Sequence, residues 1–312
     1  MPAALTSAPT PERLRDRLAG ALVGSAIGDA LGMPVEGLSH QNVRTYYRGI
    51  KELRADEKRG DLGAGQYTAD TQRARALTRV LTATTPDSPE EARVAFHAAL
   101  SDLDGLLRRG DIAVRPSGAC AACAAPLGVQ ARLRGLGTLA VARWAGLLLS
   151  PLDASPVAHV AAAAQAAAVQ ACLARDGVTG PGLMAAALLQ ARDAERLLGA
   201  DARVSTRIAA LQPRLAETPL DLQDLCNGTG SAADEAFPFA LAMVAHGPDL
   251  VEATLLSAIN VGGDTAAVGA MVGAMLGALH GASAFPAAWL DGLEDGAAIR
   301  AEADALAAAL GG

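Results

Sequence analysis

The sequence predicts an all-α fold in a single domain, and three observations lead there. Hydrophobic residues are 51% of the 312, yet Ala and Leu dominate them and aromatics reach only 3%. Ala and Leu lose little entropy in a helix, whereas strands favour β-branched and aromatic side chains. Alanine-rich segments alternate with short Gly/Pro punctuation along the whole length, and no break in composition resembles an interdomain linker. Finally, Gly20, Gly24, Gly28 and Gly32 recur with a period of four, as do Gly269, Gly273, Gly277 and Gly281. That period places each set on one helix face.

Taken in order, residues 1–11 (MPAALTSAPTP) have neither a basic region nor an apolar run and read as a disordered lead rather than a signal peptide. The helical domain is expected over 12–312. Its first helix, 12–32, carries the first glycine ladder and stops before Pro34. Apolar periodicity between Gly/Pro breaks predicts further helices over 70–84, 88–109, 118–133, 137–149, 155–174, 181–198, 203–211, 233–245 and 249–259. The second ladder lies on a helix over 265–280, and a last helix covers 297–310. Each interior glycine costs a helix about 0.5–1 kcal/mol relative to Ala, so two ladders imply a packing reason: close approach of the two backbones at the centre of the fold.

Composition also excludes. A net charge of −7 with no sustained Lys/Arg run argues against nucleic acid as a partner. The most apolar stretch, Thr265 to Leu279, is shorter than the roughly 20 residues of a spanning helix, so no membrane partner is expected and the location expected is cytoplasmic. Cys120, Cys123, Cys172 and Cys226 offer one C-A-A-C pair without the second pair that zinc requires, and read as buried small hydrophobes. The histidines, at 40, 97, 159, 246 and 280, share no ligand-like spacing. Gly60 to Gly65 lacks the Lys of a phosphate loop and reads as a flexible loop.

Three polar clusters interrupt this background. Asp29 sits within the first glycine helix, with Glu36 just past the Pro that ends it; Gln66 to Thr71 and Asn260 to Thr265 each precede a helix. Taken singly, Thr and Asp before a helix are ordinary N-caps that accept bonds from its first amides. Three acidic junctions, two of them on glycine helices that would bring them together, point instead to a site. Converging helix N-termini suit a diphosphate, and carboxylates beside them suit a divalent metal or ribose hydroxyls. Arg73, one turn past Asp70, reads by default as part of a solvated face, with pairing to an acid or a phosphate as the alternative.

These residues resemble a known family. GALVGSAIGDALGMPVEG looks like the N-terminal motif of the ADP-ribosylglycohydrolase family, which includes the hydrolase that reactivates dinitrogenase reductase. YTADT resembles its T-D-D-T metal loop, and NVGGDTAAVGAMVGAMLGALHG its N-x-G-G-D-T-D-T-I-G-A segment. Weaker echoes are Ser117-Gly118-Ala119 with Ala125-Pro126-Leu127-Gly128, and Gly228-Thr229-Gly230-Ser231 before Glu235-Ala236-Phe237-Pro238. The resemblance runs through residues 14–285 and implies one orthogonal helical domain that holds two divalent metals and cleaves the glycosidic bond of an ADP-ribosyl group.

By position, the resemblance makes Thr68, Asp70 and Asp264 metal ligands. It makes Glu36, with Asp29, the catalytic acids, and it gives substrate contacts to Ser117, Gly118, Ala119, Gly228, Gly230 and Ser231. This chain departs from the pattern at Ala69, Ala266 and Ala267, where the family has Asp, Asp and Thr. Two dications about 4 Å apart repel by roughly 16 kcal/mol at an effective dielectric near 20, so a metal pair without those anions is untenable. One Mg²⁺ or Mn²⁺, or no metal, remains. Two functions follow: a hydrolase of a ribosyl bond in an ADP-ribosylated protein or ADP-ribose-containing small molecule, or an inactive relative that binds ADP-ribose or serves as a structural or interaction protein.

Overall fold

The computed structural model describes residues 9–85, 87–108, 116–174 and 176–311, and among these it contains helices and no β-strand. The α-helices in order are α1 (Pro11–Gly32), α2 (His40–Asn42), α3 (Ala69–Ala83), α4 (Pro89–Asp102), α5 (Ala119–Ala122), α6 (Ala125–Arg134), α7 (Thr138–Leu148) and α8 (Pro156–Ala174). They continue as α9 (Gly180–Leu198), α10 (Arg203–Leu211), α11 (Pro219–Leu225), α12 (Ala233–His246), α13 (Val251–Asn260), α14 (Thr265–His280), α15 (Ala287–Gly292) and α16 (Gly296–Ala309).

Differences from the predicted helices have local causes. Most of the predicted lead, residues 1–8, lies outside the described residues. Its end already belongs to α1, because Thr10 accepts a hydrogen bond from the Arg13 amide and Pro11 occupies the first turn, where a missing N–H does no harm. The helix expected over 118–133 is two helices: Pro126 starts a new first turn, and the chain bends at Cys123 and Ala124. The helix expected to reach 109 stops at Asp102 and turns through Gly105, at φ +76°. The short α2, α11 and α15 carry too few turns to show a period.

The two glycine ladders meet as an antiparallel seam. Gly20 faces Gly277, Gly24 faces Gly273, Gly28 faces Gly269 and Gly32 faces Thr265, and a Cβ on any of these four α1 glycines would run into the opposite carbonyl. Thr265 ends the seam by donating its hydroxyl to the Gly32 carbonyl at 2.7 Å. Gly281 is not a rung. It stops α14 at φ +97°, where a side chain would meet Asp16. Around the seam, the alanine-rich α8 packs on α6, α7, α9, α12 and α14, and the buried apolar residues form one continuous core.

The Thr265–Leu279 stretch read as the most apolar is exceeded in length by two others. Two helical segments, Pro11–Val35 and Pro156–Ala174, are long and apolar enough to cross a membrane, but 100% and 83% of their apolar windows are buried in the protein, so both serve as core helices. The four cysteines are buried and none is in a disulfide. His40, His159, His246 and His280 each pair with a backbone carbonyl.

Candidate functional site

The pocket begins on α1. Asp29 is completely buried, and its carboxylate accepts from the Thr68 amide (3.0 and 3.1 Å), the Thr71 amide (3.0 Å) and the Thr71 hydroxyl (2.6 Å). Burial lifts its pKa to about 6 against the pull of those hydrogen bonds. These bonds tie the N-terminus of α3 to the central seam. Asp29, expected to take part in the chemistry, therefore sets the position of the Thr68–Thr71 turn, and its oxygens are already engaged.

Thr68 caps α3, its hydroxyl accepting from the Asp70 amide at 3.3 Å, so the capping role and the place in the pocket coexist in one side chain. Asp70 is buried, and its Oδ1 lies 3.4 Å from a guanidinium nitrogen of Arg73, itself only 3% exposed. The solvated face expected for Arg73 is thus overturned in favour of pairing with an acid. Burial drives the Asp70 pKa well above the usual carboxylate range; the Asp29 charge adds to this, Arg73 opposes it, and Asp264 and Glu36 raise it further. Asp70 therefore sits in the combined field of the other three acids.

Glu36 and Asp264 are brought together by paired loops. The Gly37 amide donates to the Gly263 carbonyl (2.8 Å) and the Gly263 amide to the Leu38 carbonyl (2.9 Å), beside a lone β-bridge between Ser39 and Gly262. Gly262 and Gly263 have φ +85° and +88°, and a Cβ on either would strike the backbone of Leu38 or of Thr229. The Asp264 amide donates to the Thr229 carbonyl at 2.6 Å. Desolvation of the half-buried Asp264 carboxyl pushes its pKa to about 7; the Glu36 charge adds to this, while the Ala267 amide and the Ser231 hydroxyl draw it back. The Glu36 side chain is 22% exposed, with Arg59 at 3.8 Å from its carboxylate and 3.0 Å from its carbonyl. Arg59 lies in a loop without a motif, so nothing in the sequence marked it.

The two weaker echoes also meet. Ser117 bridges to Ala232, and the Gly118 amide donates to the Ser231 carbonyl at 2.7 Å. The Ser117 amide goes to Asp153 and the Ala119 amide to the Ser117 hydroxyl. The amides of Ser117, Gly118 and Ala119, residues expected to contact substrate, are therefore engaged inside the protein, and this loop supports Ser231. The Gly228 amide bonds to the Gln223 carbonyl, and the Gly230 amide faces Glu235. The Ser231 hydroxyl, directed at Asp264, is what this pair of loops delivers to the pocket.

No other acid takes the place of the missing ligands among the described residues. Asp234 pairs with Arg203 at 3.2 Å, Asp61 is exposed, and Asp111 lies outside the described residues. Ala69 and Ala266 are fully buried and Ala267 is 2% exposed. Among the described residues no three His, Cys, Asp or Glu side chains gather as a metal would need. With Asp29 engaged by amides and Asp70 facing a guanidinium, the donor set does not fit the dinuclear centre that the resemblance implies. A cavity of about 630 Å³ lined by His40, Arg48, Leu256 and Asn260 borders the Asn260–Val261 turn and includes neither Asp70 nor Asp264.

A pair of glycine-faced helices that ends in converging carboxylates and loops defines a class: all-α proteins with an acid pocket at helix N-termini. The chain belongs to the ADP-ribosylglycohydrolase family, whose profile matches residues 10–312. It is similar to a solved structure titled "ADP-ribosylglycohydrolase-related protein complex", with 23% identity, 95% of this chain and 98% of that chain covered, and a TM-score of 0.70. At that identity the likeness is one of fold. A search of curated proteins gives no match.

Proposed function

We propose that this protein takes an ADP-ribosyl group, free or attached to a protein, into the acid pocket and hydrolyses its ribosyl glycosidic bond. Family membership supports the substrate class. The observation that carries the reading is the common field of Glu36, Asp70 and Asp264, which come from three distant parts of the chain. Carboxylates so placed accept hydrogen bonds from a ribose diol. Glu36, whose side chain is 22% exposed, orients water and takes its proton. Arg59 beside it supplies a cation for the diphosphate.

A second reading is a relative that binds the same group without turnover. Buried Ala69, Ala266 and Ala267, where the family pattern has polar ligands, favour it. Calorimetry with ADP-ribose, with and without Mg²⁺, combined with an assay for release of ADP-ribose from modified protein, separates the two. Binding with release supports hydrolysis; binding without release supports the silent relative; absence of binding removes both. Restoring Ala69→Asp with Ala266→Asp and gaining turnover would show that the pocket is a reduced form of the family's. The buried free thiols fit the reducing cytoplasm, where we place the protein.

A further inference from the structure

The acid pocket holds its own cation. Asp29, Asp70, Asp264 and Glu36 act on one another's charge, and a carboxylate crowded in this way is stabilised by a positive partner. Two guanidinium groups are near. Arg59 stands at the rim, its side chain 40% exposed, beside Glu36. Arg73 is inside, 3% exposed, 3.4 Å from Asp70, and close enough to Cys123 for its charge to act on that buried thiol.

We propose that Arg73 is the built-in counter-ion of this pocket and that its guanidinium takes the place of a divalent metal. Asp70, an oxygen donor by position, turns an oxygen to Arg73. A dication at the remaining oxygen would sit within a few ångströms of that fixed positive charge, with Ala69, Ala266 and Ala267 offering no anion to offset the repulsion. A carboxylate can be satisfied by a guanidinium or by a metal, and here the guanidinium is covalently present. Arg73 is thus a positioning residue: it holds the Asp70 carboxylate in place whether the pocket hydrolyses its ligand or only binds it.

The test uses Mn²⁺ alone, followed by its paramagnetic resonance signal and by thermal denaturation of the full chain, so it is independent of any ADP-ribosyl ligand. The wild type should show no saturable binding up to about 1 mM Mn²⁺ and no rise in Tm. Arg73→Met, which keeps length and removes charge, should bind Mn²⁺ at least about tenfold more tightly than the wild type and gain Tm from it. Arg73→Lys, which keeps the charge, should fold and remain insensitive to Mn²⁺. Saturable micromolar binding by the wild type, abolished in Asp70→Asn, would overturn the proposal, as would a folded Arg73→Met no more responsive to Mn²⁺ than the wild type. If Arg73→Met does not fold, Arg73→Gln, which keeps a polar group and removes the charge, takes its place: Mn²⁺ binding at least about tenfold tighter than in the wild type supports the proposal, and no gain overturns it.

Discussion

The α1–α14 seam buries charge at both of its ends, and the two ends treat it differently. At one end Arg17, fully buried, donates to the Leu279 carbonyl at 2.7 Å and to Asp176 at 2.9 Å. Nearby, Asp16 accepts from the Ser283 hydroxyl at 2.6 Å. There each charge meets a partner of opposite sign, Asp176 between Arg13 and Arg17 and Asp16 beside Arg300. At the other end Asp29, Asp70, Asp264 and Glu36 share a field in which Arg73 is, among the described residues, the buried cation. Both ends stand on the same helices, so packing alone does not explain the contrast. Matched charge closes a structure; surplus charge of one sign is kept where something else is to bind.

The sharpest way to break the comparison is to break what both ends share. Gly24→Ala puts a methyl into the Gly273 carbonyl and within 2.7 Å of the Phe285 ring, and should cost about 5 kcal/mol or more, seen as loss of the cooperative urea transition. Gly137→Ala, with open space around it, should stay within about 0.5 kcal/mol and serves as the control.

Next in size is pH. The Asp264 pKa is raised to about 7 in the folded protein, so its unfavourable ionisation is absent below the unfolded value of 3.8 and grows as pH rises to about 7. Stability measured by urea denaturation should therefore fall between pH 4 and pH 8 more steeply in the wild type than in Asp264→Asn. The difference should reach about 4 kcal/mol, and parallel curves would refute a carboxyl desolvated by the fold. At the matched end, Arg17→Met removes a buried guanidinium from the Leu279 carbonyl while Asp176 keeps Arg13 at 3.2 Å, and should cost about 3 kcal/mol with no dependence on added ligand. Smallest is Arg59→Ala, at a rim position, which should weaken ADP-ribose binding about tenfold in calorimetry and leave Tm nearly unchanged.

The sequence announced the seam because glycine at every fourth position has few explanations other than backbone contact, and it announced the acids because Asp in an apolar helix is conspicuous. Arg73 escaped because an arginine in the α3 pattern looks the same whether the face it lies on is wet or packed; only the fold shows that it is enclosed. The engagement of the 117–119 amides was hidden for a similar reason. A glycine-rich stretch advertises free N–H groups, and whether a neighbouring loop has already claimed them depends on chain segments more than 100 residues away, here Ser231 for the Gly118 amide. Gly281 kept the spacing of the ladder by coincidence, its role being set by a positive φ that composition does not reveal.

The interlocked glycines also fix what the molecule can do in time. Because each carbonyl of one helix fills the notch left by a missing side chain on the other, α1 and α14 cannot slide past each other without every notch being lost together. The pair behaves as one stiff beam, pinned at its tip by Thr265 on Gly32. Asp29 and Asp264 ride on that beam and keep their spacing during any breathing of the protein, and accommodation of a guest falls to the strands of loop around Glu36, Arg59 and Ser231.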